Sequence, residues 1–295
     1  MLSEFRAGLG RKLIHVAETT ERTVTTNGYS TFFLDSGDEG KEAVILLHGG
    51  GPGANAASNW RGFIPALSDD YRVLAPDLVG YGRTDHPEDM PGSLIGWLRM
   101  RVDQVLALMD AHGIEQAHLV GNSMGGALAM HMVMAAPERV RKVSLMGSAG
   151  GHSQPTPEVM RMVSFYKDPT LSALENLTKW FVYDETGLGA SIAAIAEERH
   201  KEIMRPEIRR SYERFFSSSP AEAAVPPSAL RRMAHPFLLV HGREDRFVTP
   251  DSSVYLQQHL PNAELHIFPQ CGHWVQIERA GAYAVLLRNF LKAAN

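Results

Sequence analysis

Short apolar runs alternate with stretches of helical period along most of the chain. Val44-Ile45-Leu46-Leu47 ends at a run of glycines and reads as a buried strand, and Tyr71-Arg72-Val73-Leu74-Ala75 reads as the next. Leu94, Leu98, Val102, Val105, Leu106 and Met109 then follow helical spacing, and Gly113 supplies a stop. His118-Leu119-Val120 predicts a strand, residues 127–136 a buried helix, and Val143-Ser144-Leu145-Met146 a further strand. Strands alternating with helices predict a mostly parallel sheet wrapped by helices. The alternation stops near Gly150-Gly151. From there to about Arg232 the pattern is helical, without buried-strand runs, and is punctuated by seven prolines from Pro155 to Pro227. Strand signals return at Phe237-Leu238-Leu239-Val240 and Leu265-His266-Ile267-Phe268, and Tyr283, Leu286, Leu287, Phe290 and Leu291 mark a closing helix. The expectation is one α/β core, residues 1–149 and 233–295, with a helical insertion at 150–232 lying over the site as a lid.

A chain of 295 residues is long enough for one large core with such an insertion. Its net charge of −4, with both signs scattered, gives no basic face for nucleic acid or anionic lipid. Cys271 is the only cysteine, which excludes an intrachain disulfide and metal sites built on several thiolates, and fits a reducing cytoplasm. Glu4, Arg6, Arg11, Lys12 and Glu18 interrupt every apolar run near the start, so no signal-peptide core is expected, and no stretch is long and apolar enough to span a bilayer.

Gly121-Asn122-Ser123-Met124-Gly125-Gly126 joins a predicted strand to a predicted helix. A serine at such a sharp turn takes a strained backbone conformation, and side chains at Gly121 or Gly125 would collide with it. Serine needs a base to attack at neutral pH, and the base needs an orienting acid. The later strands are followed by Gly242-Arg243-Glu244-Asp245-Arg246 and by Cys271-Gly272-His273-Trp274. Residues just past the carboxyl ends of parallel strands converge on one edge of the sheet. Ser123 is therefore the expected nucleophile, His273 the base, and Asp245 the acid, with neighbouring Glu244 as the alternative. His48 and His241 also stand at strand ends, where hydrogen bonding to loop backbone is the simpler expectation. Cys271 has no turn of its own and reads as packing. After the strand at Val44 comes His48-Gly49-Gly50-Gly51-Pro52-Gly53-Ala54, whose bare glycines can aim backbone N–H groups at a developing oxyanion. Gly50 and Met124 are the expected pair of donors. A phosphate loop fits poorly, because the lysine and hydroxyl residue of that motif are missing.

These segments, with Asp77-Leu78-Val79-Gly80-Tyr81-Gly82-Arg83-Thr84-Asp85, resemble the α/β-hydrolase superfamily across nearly the whole chain. The glycine loop, the serine turn and the strings around Asp245 and His273 are similar more narrowly to the meta-cleavage product hydrolases. The resemblance implies an eight-stranded, mostly parallel sheet with a helical lid after the sixth strand. It also implies hydrolysis of a carbon–carbon bond in 2-hydroxy-6-oxo-hexa-2,4-dienoates, with no metal or nucleotide cofactor. Asn59, Asn122, Arg199 and Trp274 match positions that surround the dienoate head group, Arg199 meeting its carboxylate. On the residues alone, an arginine among Glu197, Glu198 and Lys201 also reads as a solvated helix face. Asn55-Ala56-Ala57 departs from the family's pattern and implies a different pocket wall, and the segment before Thr23 is longer than the family's. Assembly as a homodimer or larger homo-oligomer is a further implication. The same triad also serves ester and lactone hydrolases, and a hydrolase scaffold can act as a small-molecule receptor.

Overall fold

The computed structural model describes residues 18–152, 154–186, 188 and 190–293; the charged positions Glu4, Arg6, Arg11 and Lys12, and most of the long segment before Thr23, lie outside them. Eight strands form one sheet: β1 (Thr20–Thr26), β2 (Tyr29–Ser36), β3 (Ala43–Leu47), β4 (Arg72–Pro76), β5 (Ala117–Asn122), β6 (Val140–Met146), β7 (Phe237–Gly242) and β8 (Ala263–Phe268). Their order is β1-β2-β4-β3-β5-β6-β7-β8. β2 runs antiparallel to β1 and β4, and every other neighbouring pair is parallel. The pattern of apolar runs found the six strands of the parallel part. It did not mark β1 and β2, joined by a tight turn at Asn27 and Gly28, both at positive φ (49° and 83°).

The central strands are largely apolar, and β3 is so at every position, because helices cover both faces. Side chains alternate between the faces with a period of two. Ile45, Leu47, Leu119, Leu145 and Leu239 point to one side, where α2 (Leu94–Ala111) and α3 (Met124–Ala135) pack. Val44, Leu46, Val120, Met146, Leu238 and Val240 point to the other, against α1 (Ala56–Trp60) and the closing helix. α3 is apolar on nearly all sides and is buried along most of its length.

Between β6 and β7 the chain forms α4 (Pro157–Val163), α5 (Leu171–Trp180), α6 (Ile192–Ile203), α7 (Pro206–Phe215) and α8 (Pro227–Leu230). This insertion has an apolar cluster of its own, including Phe165, Leu174, Phe181, Ala196 and Tyr212. Phe247 and Trp274, from loops of the core, complete that cluster. After β7 come α9 (Asp251–His259), α10 (Val275–Glu278) and the closing helix α11 (Ala280–Lys292). No helix among the described residues is long and apolar enough to cross a membrane.

Register brings the functional loops to one edge. Leu47 pairs with Gly121, Asn122 with Met146, Met146 with Val240, and Gly242 with Phe268, so the carboxyl ends of β3, β5, β6, β7 and β8 stand nearly level. The sheet reverses its winding between β3 and β5, and ligands in such sheets bind in the crevice outside that reversal.

Candidate active site

Ser123 occupies the turn between β5 and α3 with φ 56° and ψ −116°, a conformation that side-chain-bearing residues rarely adopt. Hydrogen bonds hold it there. Its N–H donates to Met146 O at 2.9 Å, and its carbonyl accepts from Gly126 and Ala149. The flanking glycines are needed sterically, because a Cβ at Gly121 would run into the Gly125 carbonyl and one at Gly125 into the Leu47 carbonyl. Ser123 is only partly buried, and its hydroxyl makes no hydrogen bond among the described residues.

Of the two adjacent carboxylates after β7, Asp245 is the one that meets the histidine. His273 Nδ1 donates to Asp245 Oδ2 at 2.6 Å, while Glu244 accepts from the Cys271 N–H and pairs with Arg243. The other oxygen, Asp245 Oδ1, accepts from the Phe247 and Val248 N–H groups at 2.8 and 3.0 Å. Burial acts to raise the Asp245 pKa. The charges and hydrogen bonds of His273 and His241 outweigh it and hold the carboxyl well below the usual carboxylate range. His241 was expected to bond loop backbone, and its Nε2 does donate to Val248 O at 2.7 Å. It does more, lying 3.3 Å from Asp245 Oδ2 and bonding Ser253 through Nδ1. Nothing in its sequence position announces the contact with Asp245. His48 matches its expectation, with Nδ1 donating to Gly49 O and Nε2 accepting from the Leu78 N–H. Full burial lowers its pKa to about 3, so it is neutral.

The glycine loop after β3 lies beside Ser123. Asn59 Oδ1 accepts the Gly49 N–H at 3.3 Å, and the Tyr81 hydroxyl donates to Gly50 O at 3.1 Å. These two contacts hold the peptides on either side of the one that carries the Gly50 N–H, and that one is held through its own carbonyl, Gly49 O, which accepts from His48 Nδ1. The N–H groups of Gly50 and Met124 donate to no group among the described residues, and both residues line the same cavity as Ser123.

That cavity, about 270 Å³, lies between the strand ends and the insertion. Ser123, His273, Asn59, Asn122, Arg199 and Trp274 all line it. Asn122 Nδ2 is committed to Met146 O at 3.1 Å. Arg199 sits on α6 with Ile192, Ala196 and Ile203 on the buried face, while Glu197, Glu198 and Lys201 are exposed. Its guanidinium is not on a solvated face. It stands 4.7 Å from the centre of the Trp274 ring, its Nε is buried without a partner, and burial lowers its pKa to about 10. Arg199 is the one Lys or Arg among the cavity's lining residues. Gly53, at φ +70°, makes room for it, since a Cβ there would stand 2.7 Å from the Arg199 Cβ. Rings from three loops continue the stack. Trp274 lies parallel to Phe181 at 4.8 Å, and Phe181 parallel to Phe247 at 3.9 Å.

Asn55-Ala56-Ala57, expected to form part of the pocket wall, does not line the cavity. Asn55 caps α1 by accepting the Ser58 N–H at 2.7 Å. Cys271 is buried packing. No group of three or more His, Cys, Asp or Glu among the described residues is arranged to hold a metal ion.

A strained serine after a central strand, a histidine–carboxylate pair from the loops after β7 and β8 and a glycine loop beside them define a class of protein. The family model that matches residues 44–286 is that of the alpha/beta hydrolase family. Over 93% of its length the chain is 36% identical to 2-hydroxymuconate semialdehyde hydrolase of Pseudomonas sp. (strain CF600), covering 94% of that protein. It is 37% identical to 2-hydroxy-6-oxo-6-phenylhexa-2,4-dienoate hydrolase of Burkholderia cepacia, over 92% of this chain and 96% of that one. The solved 2-hydroxy-6-oxo-6-phenylhexa-2,4-dienoate hydrolase of Rhodococcus sp. strain RHA1 superposes with a TM-score of 0.90 at 42% identity, covering 94% of this chain and 100% of that one. A meta-cleavage product hydrolase from Pseudomonas fluorescens IP01 gives a TM-score of 0.84 at 35% identity, over 93% and 98% of the two chains. The chain belongs to the alpha/beta hydrolase family and, within it, to the meta-cleavage product hydrolases.

Proposed function

We propose that the protein hydrolyses the bond between C5 and C6 of a 2-hydroxy-6-oxo-hexa-2,4-dienoate, giving a 2-hydroxypenta-2,4-dienoate and a carboxylic acid. The observation that carries this reading is Arg199, a desolvated cation without a carboxylate partner in a cavity shared with Ser123 and His273. A buried unpaired guanidinium is costly to keep and is suited to an anionic substrate head. An ordinary ester has no use for it.

In this reading the substrate carboxylate lies against Arg199 and Trp274, and the amide of Asn59 and the Asn122 side chain flank the dienol. Ketonisation comes first, placing a proton on C5, so that the departing carbon leaves as a stabilised enolate. Ser123 then attacks the C6 carbonyl while His273 takes the hydroxyl proton, held in the required tautomer by Asp245. The Gly50 and Met124 N–H groups receive the oxyanion. The C5–C6 bond then breaks with its electron pair leaving as the dienolate, which takes the proton from His273 to become 2-hydroxypenta-2,4-dienoate. His273, neutral again, takes a proton from the water that releases the acyl group from Ser123.

The insertion at 150–232 serves as a lid over this cavity and supplies much of its apolar wall, including Val159, Met162, Phe215 and Phe216. With one cationic residue in the lining, the cavity suits one carboxylate and a neutral alkyl or aryl group on C6, rather than a substituent that ends in a second carboxylate. The single buried cysteine fits work in the cytoplasm, and assembly as a homodimer or larger homo-oligomer follows from the family likeness.

The test is a comparison of kcat/KM on phenyl-, isopropyl- and methyl-substituted dienoates, a dicarboxylate dienoate and a simple aryl ester. The neutral dienoates should be preferred to both other classes by at least about tenfold. Preference for the aryl ester would assign an esterase instead.

A further inference from the structure

We propose that Glu278 is a positioning residue that clasps the insertion to the loop carrying His273 and Trp274, and so sets the place of Arg199 relative to the catalytic histidine. Glu278 ends α10, the single turn that follows Trp274, and its two oxygens serve two different segments. Oε1 accepts the Tyr183 N–H at 2.7 Å and the Asp184 N–H at 3.4 Å, both in the insertion between α5 and α6. Oε2 accepts the Gly272 N–H at 2.8 Å, immediately before His273. The same two stretches touch backbone to backbone. The His273 N–H donates to Phe181 O at 2.8 Å, and a Cβ on Gly272 would stand 2.7 Å from that oxygen.

Chemistry favours a carboxylate in this place. Three backbone donors from two directions need an acceptor with lone pairs on two separate atoms. A glutamine keeps one such oxygen and turns an NH2 toward the remaining donors. Arg279 does not compete for the carboxylate, because its Nη2 donates to the Pro269 and Gln270 carbonyls at 2.8 and 2.7 Å and holds the start of the same loop. Arg199 lies on α6, the helix that follows Tyr183 and Asp184 in the chain, so movement of that segment moves the guanidinium away from Trp274. His273 is also held by its bond to Asp245, a contact that does not pass through Glu278. Chemistry needing only the triad should therefore tolerate the loss better than chemistry that also needs Arg199. This step rests on the proposed roles of Arg199 and His273.

The experiment compares the full-length wild type with Glu278→Ala and Glu278→Gln. Amide hydrogen exchange is followed at residues 182–184 and 272–273, and kcat/KM is measured on the phenyl dienoate and on a small neutral aryl ester. In Glu278→Ala, exchange should rise by about tenfold or more at both segments together and stay unchanged in the central strands. Dienoate efficiency should fall by about ten- to a hundredfold and ester efficiency by less than about threefold, with Glu278→Gln between wild type and alanine. If Glu278→Ala does not fold, Glu278→Gln alone gives the same comparison at smaller amplitude. Faster exchange at only one segment would overturn the proposal. So would equal losses on both substrates alongside a lower melting temperature, which describe an ordinary structural contact. A wild type that leaves the dienoate intact would refute carbon–carbon cleavage itself, and the exchange pattern would then decide the clasp alone.

Discussion

Removing the Arg199 guanidinium should separate substrate recognition from stability. In Arg199→Gln the fold loses a cation that is 6% exposed, has no carboxylate partner, and has had its pKa lowered to about 10 by burial. With a carboxylate bound, the guanidinium becomes half of a desolvated pair. Truncating one partner of such a pair costs about 2–5 kcal/mol, equivalent to about a thirty- to several-thousand-fold loss of affinity for the transition state. Without substrate the balance differs. The folded state carries the desolvation cost of an unpaired charge, offset in part by the ring of Trp274 at 4.7 Å. The variant's melting temperature should therefore stay level or rise, while dienoate kcat/KM falls at least about thirtyfold. The assay pairs thermal unfolding of the free protein with kinetics on the phenyl dienoate and on a neutral aryl ester, whose rate should change less than about threefold. Equal losses on both substrates with a lower melting temperature would mean that the arginine only props the insertion. Unchanged dienoate kinetics would refute the head-group assignment.

Ser123→Ala should cost on the order of a millionfold in turnover, His273→Ala about as much, and the double variant little more than either, because the two act as one unit. Residual activity above about a hundredth of wild type in Ser123→Ala would remove the serine from its role. Gly53→Ala forces a side chain into positive φ and against the Arg199 Cβ, so it should cost about 1–2 kcal/mol in denaturant unfolding and weaken dienoate turnover more than ester turnover; equal stability to wild type would contradict the close contact. Burial, with the nearby Glu278 charge, pushes the Cys271 thiol up to about 12 from an ordinary value near 9. The native thiol thus stays protonated at pH 8 and should resist iodoacetamide until the pH approaches that value, whereas the unfolded chain labels readily; rapid native labelling at pH 8 would contradict it.

The parts of this molecule that were legible in the sequence are those where one physical demand acts on adjacent residues. A strand covered on both faces must be apolar at every position, as in Ala43–Leu47, and a strained serine must have small residues two positions either side. β1 escaped because it is mostly exposed and has no buried run; β2, buried from Thr31 to Ser36, did offer a short apolar run in Phe32-Phe33-Leu34, and the Asn27-Gly28 pair, suited to a tight hairpin turn, was a second signal. Arg199, expected at the substrate's carboxylate from the resemblance, also read as a surface charge from its neighbours Glu197, Glu198 and Lys201. The spacing Ile192, Ala196, Arg199, Ile203 puts it on the buried face of α6, and that period carried the better information. The stack of Phe247, Phe181, Trp274 and Arg199 was beyond reach, since its members come from four segments joined only by the fold.

Product analysis in oxygen-18 water asks whether Ser123 catalyses hydrolysis of a carbon–carbon bond. With 2-hydroxy-6-oxo-6-phenylhexa-2,4-dienoate, the wild type should give benzoate and 2-hydroxypenta-2,4-dienoate in equal amounts, with the label in the benzoate carboxylate. Ser123→Ala should give neither product. Loss of the dienoate's visible absorbance without both products, or equal product formation by Ser123→Ala, would contradict the account.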